Sequence, residues 1–152
     1  MGAFVQGKQL RQLNFGTKVE KAAATLPATA YGSLFTISGG RVIVTGIVGE
    51  VTTICSATAT NLKLTATPTT GTAVDVATDV AIANKEVGCL FGVSAYGSAL
   101  VASNAGATAI PQTPFVVPIG TLGLTTSATN TGAAKWALTY VPLDDGAAVV
   151  SA

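Results

Sequence analysis

The stretch RVIVTGIVGEVTTI, Arg41–Ile54, decides the fold class. Seven of its fourteen residues are Val or Ile, side chains that are stiff at χ1 and fit a pleated strand better than a helix. Successive strand residues point to opposite sides. The even set is Val42, Val44, Gly46, Val48, Glu50, Thr52 and Ile54; the odd set is Arg41, Ile43, Thr45, Ile47, Gly49, Val51 and Thr53. Both sets are apolar from Val42 to Val48. One face must meet the core of the domain, and the other needs cover from a second sheet, an arm or another subunit.

Strand signals continue on either side of this stretch. Leu34–Ser38 precedes it across Gly39-Gly40, a tight-turn signal. Asn61–Thr67 alternates, and Pro68–Gly71 reads as a turn. Val74, Val76, Val80 and Ile82 share parity, opposite Asp75 and Asp79. Leu90–Ser94 is an apolar run, 95–109 reads as a loop, and Phe115–Val117 and Ile119–Thr126 are strands separated by Pro118. Lys135–Leu143 closes the series with Trp136, Leu138 and Tyr140 on one face. About eight strands at a spacing of roughly ten residues predict an all-β domain, either a β-sandwich or a jelly-roll-like barrel.

Residues 1–25 differ in character. Lys8, Arg11, Lys18 and Lys21 against Glu20 give this segment a net charge of +3, while the four basic and six acidic residues of 26–152 give −2. Gly7 and Gly16 interrupt any helix, and Lys18–Ala24 is long enough for one short helical turn. The segment reads as an extended, partly ordered N-terminal arm, with the β-domain starting at residue 26.

The composition excludes several classes of function. Ala, Thr, Val and Gly make up 83 of 152 residues, charged residues are 10%, and there is no His. Without His the commonest general base and metal ligand is missing. The net charge of +1 lacks the basic surplus of a nucleic-acid module. The longest apolar run, Val87–Val93, is far short of the roughly 20 residues of a spanning helix. No secretory pattern follows the N-terminal basic residues, so the chain is expected to be made without export. Met1-Gly2 opens like a myristoylation site, but Gln6 stands where Ser or Thr is required.

Candidate chemical sites are few. Asp75 and Asp79 would lie about 13 Å apart along one strand, too far for a glycosidase pair. Asp144-Asp145-Gly146 could offer oxygens to Ca²⁺, but a polar turn explains it as well. Cys55 and Cys89 could form a disulfide; without export, two reduced and buried thiols are favoured. Trp136 and Tyr140 read as core anchors rather than a sugar platform. No catalytic residue, metal site or cofactor is expected.

Three stretches, Leu34–Thr53, Thr131–Tyr140 and Val141–Gly146, resemble small virion structural proteins of tailed bacteriophages. The resemblance implies a non-enzymatic role in the virion, decorating or cementing the capsid lattice, with a tail-tube or head–tail connector position as the alternative. It carries no site residues. The expected partners are major capsid or other virion subunits and further copies of the chain, a trimer being the simplest closed form. Neither membrane nor nucleic acid is an expected partner. The expected contacts are Phe4, Leu10, Leu13 and Phe15 as apolar anchors of the arm, with Lys8, Arg11, Lys18 and Lys21 setting its orientation. Val42, Val44, Ile47 and Val48 are expected to contact partners from the two-sided strand. The rival reading is a glycan-binding β-sandwich using the loop 95–112, which offers Tyr96 and Asn104.

Overall fold

The computed structural model describes residues 4, 6–104, 106–111 and 113–152. The Met1-Gly2 opening lies outside the described residues. A helix, α1 (Gly7–Phe15), leads into eleven strands. They are β1 (Thr17–Thr25), β2 (Tyr31–Ser38), β3 (Val42–Thr53), β4 (Asn61–Pro68), β5 (Val74–Ala81), β6 (Leu90–Gly92), β7 (Val101–Ser103), β8 (Phe115–Val117), β9 (Gly120–Thr126), β10 (Ala133–Pro142) and β11 (Ala148–Ser151). Sheet A has the order β1-β10-β3-β6-β7, with β8 also paired to β3. Sheet B has the order β11-β2-β9-β4-β5.

The antiparallel pairs are nested. β1 pairs with β10, β2 with β9, β3 with both β6 and β8, and β4 with β5. From β1 to β4 and from β8 to β11 successive strands alternate between the two sheets, while β4 and β5 share sheet B and β6, β7 and β8 share sheet A. The result is an all-β fold of two antiparallel sheets. The edge of β5 is closed by the segment 97–100: Gly97 N donates to Val76 O, Thr78 N to Ser98 O and Leu100 N to Thr78 O. At the opposite corner Lys21 Nζ of β1 donates to the carbonyl of Ala152, just beyond β11.

The core lies between the sheets. Phe35, Leu62, Leu64, Leu122 and Leu124 come from sheet B, and Val42, Val44, Ile47, Phe91, Trp136 and Leu138 from sheet A. Trp136 and Tyr140 are both buried, as core anchors should be. Cys55 and Cys89 are buried and unbonded, and burial pushes both thiols above their ordinary range. Threonine is plentiful because it serves the sheets' outer faces, where hydroxyls pair across strands, Thr45 with Thr139 and Thr65 with Thr125.

The structure corrects three expectations. Residues 17–25 are neither a loose arm nor a helical turn; they form an edge strand paired with β10, with Val19 against the core. Gly7 and Gly16 bound a helix rather than prevent one. The loop 95–109 contains β7.

A fourth correction concerns β3. Its register with β10 shifts between Thr139 and Tyr140, which pair with Gly46 and Val44, leaving Thr45 as an extra residue. Such a bulge flips the parity of everything beyond it. Val42 and Val44 before it, and Ile47 and Val51 after it, therefore all face the core at 0–1% exposure. The strand looks two-sided in the sequence because its inward face changes parity midway. Only Ile43 and Val48 remain as half-buried aliphatic residues on the outer side.

Arg41 and Asp144 clasp the turns at one end of the sandwich. Arg41 donates its backbone N–H and Nε to Asp144 Oδ2, each at 2.8 Å, and Nη2 to Oδ1 at 2.7 Å. The carboxylate that the sequence offers to a cation is thus taken by a guanidinium. This pair holds Asp144 down from 3.8 to about 2. A carboxyl whose folded pKa is depressed stabilises the fold above its unfolded pKa and loses that contribution as pH falls through the folded one. Asp144→Asn is expected to flatten the acid limb of a melting-temperature curve between pH values of about 4 and 2, with no change in its slope near neutrality.

Candidate docking face

The outer side of sheet A is where the N-terminal segment meets the domain. Gly16 joins α1 to β1 with φ +84, a left-handed conformation suited to glycine, and a Cβ there would collide with Tyr140 O. Its N–H closes the helix on Gln12 O at 2.9 Å. Thr45 Oγ1, on the bulge of β3, donates to Phe15 O. The helix is therefore pinned at its C-terminal end. At the other end, Gln9 Oε1 accepts the Gln6 N–H at 2.8 Å.

A nine-residue helix is marginal in water unless a face is packed. In α1, Lys8, Arg11, Gln12 and Phe15 recur at i, i+3, i+4 and i+7, which places them on one face. That face borders a groove of about 700 Å³, whose other walls include Lys18, Val48, Ile110 and Ala137. Leu10 and Leu13 lie on the opposite face, 56% and 77% exposed. No residue of the helix is buried. Its amphipathicity is thus inverted with respect to its own domain, with cations turned toward the sheet and leucines turned away. Phe4, still further out, is almost fully exposed.

Ile110, from the loop after β7, also lines the groove. A Cβ on Gly92 would collide with Thr108 Oγ1, and one on Gly46 would come within 3.9 Å of Ile110 Cγ2. The outer side of β3 is therefore flanked by two pieces of its own chain. Lys18 pairs with Glu20 at 2.8 Å, and Lys135 with Glu50 at 3.0 Å. Lys8 and Arg11 have no ion pair among the described residues, and no carboxylate lines the groove.

The expected partner contacts now divide. Phe4, Lys8, Leu10, Arg11, Leu13, Phe15 and Lys18 gather on or beside α1 and are exposed. Lys21 turns to the corner with Ala152. Val42, Val44 and Ile47 are sealed in the core and cannot touch a partner; Val48 is half-buried in the groove floor. Ile110 and Ala137 were not legible as groove residues, since the long loop carries no periodicity that would fix where Ile110 crosses the sheet, and Ala137 is one small residue of β10. Asp75 bonds Lys63 Nζ and Thr65 Oγ1, while Asp79 is exposed. Tyr96 leans on Phe115 with ring centroids 5.9 Å apart, and Gln112 of the same loop lies outside the described residues. Among the described residues there is no group of three metal-ligating side chains and no helix long and apolar enough to cross a membrane.

No protein family, curated protein or solved structure matches the chain.

Proposed function

We propose that this chain is a non-enzymatic structural subunit of a bacteriophage virion that decorates or cements the capsid lattice as a homo-oligomer. The observation that carries the reading is the inverted helix. Leu10 and Leu13 face away from the core between the sheets, so α1 suits docking on another subunit better than stabilising its own. An all-β fold of two antiparallel sheets is compatible with this role. The glycan-binding alternative is weakened by Tyr96, whose ring rests on Phe115 instead of standing free as a platform.

In this role the β-domain spans a seam while α1 anchors it. Burying one leucine stabilises a contact by about 1.5–3 kcal/mol, or roughly 10- to 100-fold in affinity. Purified wild-type protein is expected to add saturably to particles assembled without it. Leu10→Asp and Leu13→Asp are each expected to weaken that addition by at least about tenfold, leaving the circular dichroism spectrum and melting temperature unchanged. Failure of the wild-type protein to bind such particles would remove the proposal.

A further inference from the structure

We infer that the groove beneath α1 receives the turn Glu86-Val87 of a second copy, in a head-to-tail contact that builds the homo-oligomer. The inference goes beyond the virion reading and does not depend on it, because the groove and the outward leucines are opposite faces of the helix.

The first argument is charge. The groove presents Lys8 and Arg11, with no carboxylate among its lining residues. Of the six acidic residues in 26–152, Glu50, Asp75 and Asp144 are already paired. Asp79, Glu86 and Asp145 have no ion pair among the described residues. Among the described residues, Lys8 and Arg11 thus sit on the helix without an ion pair, Asp79, Glu86 and Asp145 sit on the body without one, and a single chain does not bring these groups together. A second copy does.

The second argument selects the turn. The groove is partly apolar, with Phe15, Val48, Ile110 and Ala137 in its walls, so its occupant needs an apolar group beside the acid. Glu86 is followed by Val87, 64% exposed, and the facing segment carries Ile54, 55% exposed. The two segments are held together by Cys55 N donating to Lys85 O and Gly88 N to Val51 O. Lys85 Nζ lies 3.5 Å from the carbonyl of Ala102 and makes no ion pair with Glu86. Asp79 is flanked by Thr78 and Val80, neither a strongly exposed apolar side chain. Asp145 is flanked by Asp144 and Gly146, neither of them apolar, in the turn that the Arg41–Asp144 pair already closes.

The third argument is geometry. The groove lies across the middle of sheet A, at Gly46–Val48, while Ile54 and Val87 are at the end of β3. Two different patches joined in this way form a heterologous contact, which closes into a ring when the rotation between copies allows it.

The test is the mass of the full chain in solution, by light scattering over a range of concentrations. Wild-type protein is expected to be a multiple of 15.0 kDa. Val87→Asp, Arg11→Glu and Glu86→Arg, all at exposed positions, are each expected to raise the dissociation constant by about tenfold or more. The double variant Arg11→Glu/Glu86→Arg is expected to recover assembly to within about threefold of wild type, because the pair is restored with its signs exchanged. Asp145→Lys is expected to leave assembly unchanged. A wild-type mass of 15.0 kDa at every concentration, full assembly in Val87→Asp, no recovery in the double variant, or dissociation by Asp145→Lys would each overturn the inference. Circular dichroism confirms that each variant is folded. Leu13→Asp should keep its oligomeric mass, so loss of particle binding and loss of self-assembly are read separately.

Discussion

Removing residues 1–25 is expected to unfold the domain or drive it to aggregate, whereas removing residues 1–15 should leave its melting temperature within a few degrees of wild type. The difference is β1. Its seven paired positions along β10 run from Thr17 to Thr25, and Val19 packs against the core. Each ladder hydrogen bond contributes a net of about 1 kcal/mol, and partial burial of a valine about another. Their sum is on the order of 5 kcal/mol, comparable with the whole stability of a marginal domain. The deletion also uncovers the edge of β10, whose free N–H and C=O groups would template association with another chain. The helix, by contrast, buries no side chain and is joined to the sheet by little more than the Thr45–Phe15 contact. Thermal unfolding followed by circular dichroism, with light scattering in parallel, separates the two outcomes. A 26–152 fragment that melts with the wild-type chain would show that β1 is an ornament on the sheet.

That boundary was hidden in the sequence for a physical reason. An edge strand is allowed to be polar, and β1 spends Lys18, Glu20 and Lys21 on solvent and on the corner of the sandwich, leaving Val19 as its one large apolar residue. The central strands were legible because their Val, Ile and Leu residues must face the core: β2, β3, β4, β9 and β10 all lie close to where the apolar runs place them. Tertiary pairings were not. Thr45 as a bulge is signalled weakly by Gly46 inside a strand, but the change of face it causes requires the partner strand to be known. The same holds for Asn130, which is buried and accepts hydrogen bonds from the backbone N–H groups of Ser56 and Gly132 while donating to Thr60 Oγ1. Nothing around it in sequence marks it as a tie between two loops. The docking face was legible in part. Charge and composition singled out Lys8, Leu10, Arg11 and Leu13, but not that the basic and apolar positions fall on opposite sides of a helix.

Gly49→Ala is expected to destabilise the domain by about 2–4 kcal/mol, although it adds only a methyl group and replaces glycine by a residue that strands tolerate no worse. Gly49 lies in β3 between two aromatic residues, paired with Trp136 of β10 on one side and Phe91 of β6 on the other. Those strands are two ladder spacings apart, roughly 9.6 Å, yet the rings stack with centroids 5.7 Å apart and planes inclined by 13°. They can meet because no side chain stands between them. A Cβ at position 49 would lie 2.8 Å from three atoms of the Trp136 six-membered ring. The strain of forcing a methyl into a packed core is about 1–3 kcal/mol, and the stacking it disrupts adds about 0.5–1.5 kcal/mol. Phe91→Ala, which leaves a cavity instead, should cost about 3–5 kcal/mol. The two effects have different causes, and a double-mutant cycle separates them. With Trp136→Leu as the background, the indole that rejects the methyl is gone, so Gly49→Ala should cost less than half of its value in the wild-type chain. Urea unfolding monitored by far-ultraviolet circular dichroism supplies all four corners of the cycle. Additive penalties would mean that the collision with Trp136 is not what keeps position 49 a glycine.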